Sequence, residues 1–118
     1  MQIGIARTVF ALQGLFLMSS GSVMLLSPST VSAPGAQLHG VPKDVTMVFG
    51  LSSISLGMCF TLAATRGPRD LFQQMLILFG AGKALAVGVQ MYCGPKWYGV
   101  AIWEAVTGAA NLACACLI

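Results

Sequence analysis

Charge is scarce in this chain. Its 118 residues carry six basic and three acidic side chains and one histidine, with a net charge of +3 and only 8% charged residues. A water-soluble domain of this size devotes roughly a quarter of its residues to charge, so that class is excluded. The few positive charges are scattered, which excludes nucleic acid as a partner. Catalytic signatures are missing as well. There is no GxSxG, HExxH, Walker loop or dinucleotide fingerprint, and no pair of histidines that would hold haem or a metal within a helix. No metal and no cofactor are therefore expected. The four cysteines, Cys59, Cys93, Cys114 and Cys116, contain no CxxC pair, and three of them lie inside apolar stretches. They read as small buried hydrophobes rather than as a disulfide framework or a zinc site. Cys93, at a helix end, is the one to test for reactivity.

What the chain has in abundance is apolar surface: 57% of residues are hydrophobic and mean hydropathy is +0.85. Four apolar stretches, about 5–26, 45–65, 71–92 and 97–117, are each near the ~20 residues a spanning helix needs. The expected fold is all-α, a single domain over 1–118 in which four transmembrane helices form an integral membrane bundle. Ser27-Pro28 ends the first stretch, and Pro42-Lys43-Asp44 opens the second with the proline and acid that favour a helix start. Arg66-Gly67-Pro68-Arg69-Asp70 and Gly94-Pro95 make the later breaks. The long connection, 27–43, is rich in Ser, Pro and Gly. Arg7, the first apolar run and Val31-Ser32-Ala33 imitate a cleaved signal peptide, but the run is too long and Pro34 follows the would-be cleavage site. It is expected to stay as a helix. The 14 glycines suit close helix–helix contact in lipid.

Arg7, Arg66 and Arg69 fall on one side of this arrangement, Lys43 and Lys96 on the other. The positive-inside rule then favours cytoplasmic termini and a 27–43 connection outside or in a lumen. In a eukaryotic cell the expected location is the endomembrane system, the endoplasmic reticulum first.

Against this background Lys83 and Glu104 stand out. Lys83 precedes the tight Cys93-Gly94-Pro95-Lys96 connection by about eleven residues, and Glu104 follows it by about ten. At ~1.5 Å per residue both lie ~15 Å from the turn. Helices joined so tightly are antiparallel neighbours, so the two charges share a depth near the middle of a ~30 Å hydrocarbon layer. Intramembrane charges are functional candidates by default. The plain alternative is a structural ion pair, although desolvation makes such a pair a poor source of stability. In the functional reading the carboxylate acts as a base and the ammonium donates to an oxygen that gains negative charge.

Polar residues recur at heptad-like spacing on each helix: Gln13 and Ser20, then Asp44, Ser52, Ser55 and Cys59, then Lys83 and Gln90, then Trp97, Glu104 and Asn111. Such spacing places them on one face, and four such stripes predict a shared polar interior. The alternative is that they only hydrogen-bond the bundle together, the ordinary role of serine in membranes. His39, Lys43 and Asp44 form a second cluster at the mouth of the second helix. If the connection folds back, they would line an entrance. Otherwise Asp44 favours the helix N-terminus and His39 is a solvated loop residue. Tyr92, Trp97 and Tyr98 read first as an interfacial aromatic belt, and second as substrate stacking.

Two segments carry a resemblance. Phe49-Gly50-Leu51-Ser52-Ser53-Ile54-Ser55-Leu56-Gly57 and Phe79-Gly80-Ala81-Gly82-Lys83-Ala84-Leu85-Ala86-Val87-Gly88 resemble the glycine-punctuated helices of small four-helix membrane proteins, the DoxX-like group and related fungal families. Where those relatives place Arg, Asp and His in helices 2, 3 and 4, this chain has Ser52-Ser53, Lys83 and Glu104. In size, span count and embedded acids the chain also resembles the small membrane hydrolases and cyclases of fungal polyketide pathways. That resemblance implies epoxide opening by water or an internal hydroxyl. Glu104 or Asp44 would activate the nucleophile. Lys83 or a protonated acid would stabilise the epoxide oxygen, with His39 beside the acid at the entrance. Gln13, Ser52, Gln90, Trp97 and Asn111 would hold a lipophilic substrate among the membrane lipids. Two other readings stay open. One is a non-catalytic subunit with contact faces at Gly80–Ala84 and Gly4–Thr8. The other is a solute or proton carrier, which would need a homo-oligomer to build a pathway.

Overall fold

A computed structural model describes residues 2–36 and 38–118. Met1 and Gln37, which belong to the expected 1–118 domain and the 27–43 connection, lie outside the described residues. The fold is all-α. In chain order the helices are α1 (Ile3–Leu26), α2 (Pro28–Ser32), α3 (Lys43–Arg66), α4 (Arg69–Cys93) and α5 (Tyr98–Leu117), with a 3-10 turn at Pro95–Trp97 before α5. Among the described residues, four helices are long and apolar enough to cross a membrane, as the sequence predicts, and their ends fall within two residues of the expected ones. Outward-facing Leu26, Leu85, Ile102 and Val48 are each more than 60% exposed. Such surface suits hydrocarbon and not water.

The 27–43 connection holds one element that composition hides. Pro28 sits at the first position of α2, where its missing N–H costs nothing. The rest of the connection ties to its own helices: Leu38 N–H donates to the Val31 carbonyl at 3.0 Å, and buried Thr46 in the first turn of α3 lies 3.4 Å from the Ser32 hydroxyl.

The chain divides into two compact units, Ala11–Leu62 and Met1–Phe10 with Ala63–Ile118. Within the first, α1 and α3 run antiparallel, Gly14 opposite Gly57 and Gly21 opposite Gly50. A Cβ on Gly57 would lie 2.5 Å from the Gly14 carbonyl oxygen, and one on Gly21 would lie 2.5 Å from that of Gly50. No real side chain tolerates such distances, so the backbones touch directly along this seam.

Within the second unit, α4 and α5 form an antiparallel hairpin. Gly94, which caps α4, has φ +113°, a conformation that only glycine adopts without strain, and Pro95 starts the turn into α5. The register is set by Gln73 Nε2, which donates to the Ala115 carbonyl at 2.8 Å, and by Gly80, which packs against Leu112 and Gly108. The first turns of α1 and the end of α3 belong to the same unit. There the Phe10 ring meets Phe72 edge-on at 5.7 Å, with both side chains fully buried.

Candidate functional site

The hairpin brings Lys83 and Glu104 together. Lys83 Nζ donates to Glu104 Oε2 at 2.9 Å, with the lysine side chain 10% and the glutamate 21% exposed. The Lys83 stem lies across Gly108, whose absent side chain makes room for it: a Cβ there would sit 3.0 Å from Lys83 Cβ. On α4 the buried positions are Phe72, Leu76, Gly80 and Lys83. Their steps of four, four and three residues keep them on one face, so the lysine ends an apolar stripe.

The pair leaves hydrogen-bonding capacity unused. An ammonium has three donors and a carboxylate about four acceptor positions. Among the described residues, one hydrogen bond joins Nζ to Oε2, and neither side chain makes another. Glu104 Oε1 therefore accepts from no side chain, and it is not sealed from its surroundings. An ammonium with spare donors beside a carboxylate with a spare oxygen can deliver a proton to one atom and take one from another.

The other candidates divide by location. Asn111 is fully buried, Gln13 is 5% exposed, and each is engaged with a partner. Gln90 and Trp97 are half-buried. Lys83 opposite Glu104 implies that Gln90, one heptad nearer the turn, stands opposite Trp97. The Lys96 ammonium lies 5.8 Å from the Trp97 ring centre, and Tyr92 and Tyr98 are exposed beside this turn. Asp44 and His39 are exposed, and neither side chain bonds another described residue. Among the described residues no three His, Cys, Asp or Glu side chains converge as metal ligands.

The expected polar stripe of the second long helix lies on the opposite face from its packing. Ser52, Ser55 and Cys59 are exposed, whereas Thr46, Gly50, Gly57 and Phe60 are buried. The physical reason is local: Ser55 Oγ returns to the Leu51 carbonyl at 3.1 Å, so its helix satisfies it and it need not face inward. Ser19, Ser22, Thr61 and Thr107 bond their own helices in the same way.

Arg7 belongs to no candidate site in the sequence, yet it has a clear structural task. Its guanidinium ends α3: Nη1 donates to the Ala63 and Ala64 carbonyls at 3.2 and 3.0 Å, and Nη2 to Gly67 at 2.7 Å. It also lies 4.8 Å from the Phe72 ring centre. A cation suits the open carbonyls and negative dipole of a helix C-terminus. The available signal was spacing, since Arg7 precedes Gly14 by one heptad. Gly80, offered as an outward contact face, packs inside its own hairpin, whereas Gly4 meets nothing within 4 Å.

No protein-family model, no curated protein and no solved structure matches this chain.

Proposed function

We propose that this protein is a cofactor-independent membrane enzyme that opens an epoxide in a lipophilic molecule, by water or by the molecule's own hydroxyl. The observation that supports this reading is the Lys83–Glu104 pair: a base and a proton donor 2.9 Å apart within helices made for hydrocarbon, each with capacity to spare. Removing water strengthens both interactions with a substrate.

Glu104 Oε1 takes the proton from the attacking hydroxyl as its oxygen bonds to an epoxide carbon. The carbon–oxygen bond of the ring breaks, and the electron pair stays on the epoxide oxygen. A spare Lys83 donor faces that oxygen and gives it a proton. The proton now on Glu104 then crosses to the Lys83 amine, which restores the ion pair. The net change adds O–H across one C–O bond, with no oxidant or reductant. The resemblance to small fungal membrane cyclases points the same way. Separately, the charge bias of the connections supports a proposal that the termini are cytoplasmic, and in a eukaryotic cell the proposed location is an endomembrane.

The test is a product profile from a host that makes polyene or terpenoid epoxides, with the chain and its variants at matched membrane levels. Wild type yields a diol or an oxygen heterocycle. Glu104→Gln and Lys83→Met lose it by about 10²–10⁴-fold, the usual reach of acid–base catalysis. Unchanged product in both variants rejects this chemistry.

A further inference from the structure

Gln90 carries an unmet demand that the ion pair does not explain. Its Oε1 is sealed from solvent and has no hydrogen-bond partner among the described residues. A buried carboxamide oxygen left bare is costly, and natural proteins rarely keep one without a use. As placed, the amide turns its oxygen, an acceptor, into this sealed spot. Leucine or methionine would fill this position in an apolar helix at no such cost.

Position says what Gln90 is for. It follows Lys83 by seven residues on α4, which is two turns and an almost unchanged angle around the helix. The two side chains therefore share a face and stand ~10 Å apart along the axis. Lys83 and Glu104 hold one end of that stretch. Gln90 lies toward the Gly94 turn, and it is half-buried.

Resting on the proposed role of the Lys83–Glu104 site, we infer that its ligand is an elongated lipophilic molecule with a hydroxyl ~10 Å from the oxygen met by Lys83, and that this hydroxyl bonds Gln90. A hydroxyl both donates and accepts, so it satisfies the carboxamide in either orientation. An aliphatic ether, ketone or plain hydrocarbon at that position satisfies at most one of the two. Gln90 is thus a specificity residue, remote from the reacting atoms, that sets which way round a long molecule lies between the helices.

Three probes test this: a mid-chain epoxide of a long straight alkane, the same epoxide with a hydroxyl at the chain end ~10 Å away, and the isomer with its hydroxyl next to the epoxide. Each probe's partition into protein-free micelles is measured first, and binding is compared after that correction. Binding is read by tryptophan fluorescence in micelles, and turnover by mass spectrometry on the same mixtures. Wild type should bind the remote alcohol about tenfold more tightly than the other two probes, and Gln90→Leu should bind all three alike. Equal binding in wild type, no binding of any probe, or a preference that survives in Gln90→Leu overturns the inference. A remote-hydroxyl preference with no turnover keeps it and rejects the epoxide chemistry. Turnover without the preference does the reverse.

Discussion

The α1–α3 seam and the α4–α5 seam solve one problem, antiparallel helices in contact, in two ways. Along α1–α3, Gly14, Gly21, Gly50 and Gly57 put backbone against backbone, with no space even for a methyl group. Along α4–α5 the backbones stand further apart: a Cβ on Gly80 would meet the Leu112 side chain at 2.6 Å but the Gly108 carbonyl at 3.3 Å, and one turn further the seam holds Lys83 and Glu104. The first seam is built for adhesion. Small residues let dispersion act at short range where lipid offers no hydrophobic drive between helices. The second gives up part of that contact for two charges whose desolvation is a liability. A seam that could have been sealed with glycine, and holds an ion pair instead, is where function is to be sought.

The largest effect should come from separating stability from activity at the pair. Lys83→Met alone strands a mostly buried carboxylate and should cost about 3–5 kcal/mol, read by unfolding in mixed micelles. Adding Glu104→Leu should recover most of that loss, since an apolar pair of similar volume is often as stable. The double variant should nonetheless make no product. If it stays active, the two seams differ only in how they pack.

The glycine seam should respond the opposite way. Gly57→Ala or Gly21→Ala forces a methyl group to 2.5 Å from a carbonyl oxygen across the seam, and should cost about 1–3 kcal/mol. Turnover per folded molecule should not change. Gly82→Ala and Gly88→Ala, where a Cβ meets nothing within 4 Å, should be neutral or gain up to ~1 kcal/mol from helix propensity. If all four variants behave alike, direct backbone contact does not hold the α1–α3 pair.

These contrasts also explain what could be read in advance. The depth of Lys83 and Glu104 followed from counting residues to a turn that Gly94 and Pro95 make unavoidable. Their contact did not follow, because it depends on the rotation of both helices and on room left by Gly108. Of the two readings of the α3 serines, a polar interior and ordinary hydrogen bonding within the bundle, their exposure on α3 sides against the first. Ser55 bonds its own helix, so its polarity carries no directional information. The seven-residue spacing of Gly50 and Gly57 did carry it, since only close approach requires glycine at those positions. For Arg7 the heptad step to Gly14 indicates the α3-facing side of α1 but not which carbonyls it reaches, because every residue offers one. Short α2 was hidden by a stretch rich in Ser and Pro, which reads as coil.

Arg7 sharpens the comparison as a second cation whose hydrogen bonds all go to backbone, beside the Phe72 ring. It meets three carbonyls and no carboxylate, which is the geometry of a helix cap and needs no ligand. Arg7→Met should lower stability by roughly 1–2 kcal/mol, in line with a cation at a helix C-terminus. Arg7→Lys should recover only part of it, since a single ammonium cannot span the fork that reaches Ala63, Ala64 and Gly67. Activity per folded molecule should stay near wild type in both. A loss of turnover as large as that of Lys83→Met would make the two cations one system.

The smallest effect is expected at Ser52. It is exposed on α3, and its side chain bonds no other described residue, although its heptad-like spacing from Asp44 and Cys59 suggested an inward polar stripe. Ser52→Ala should change stability by less than ~0.5 kcal/mol, as a surface substitution does, and should leave both the rate and the choice of product unchanged. Paired with Gln90→Leu it separates polarity that packing ignores from polarity that packing buries. A changed product ratio in Ser52→Ala would return α3 to the site and require a substrate that reaches the outer face of that helix.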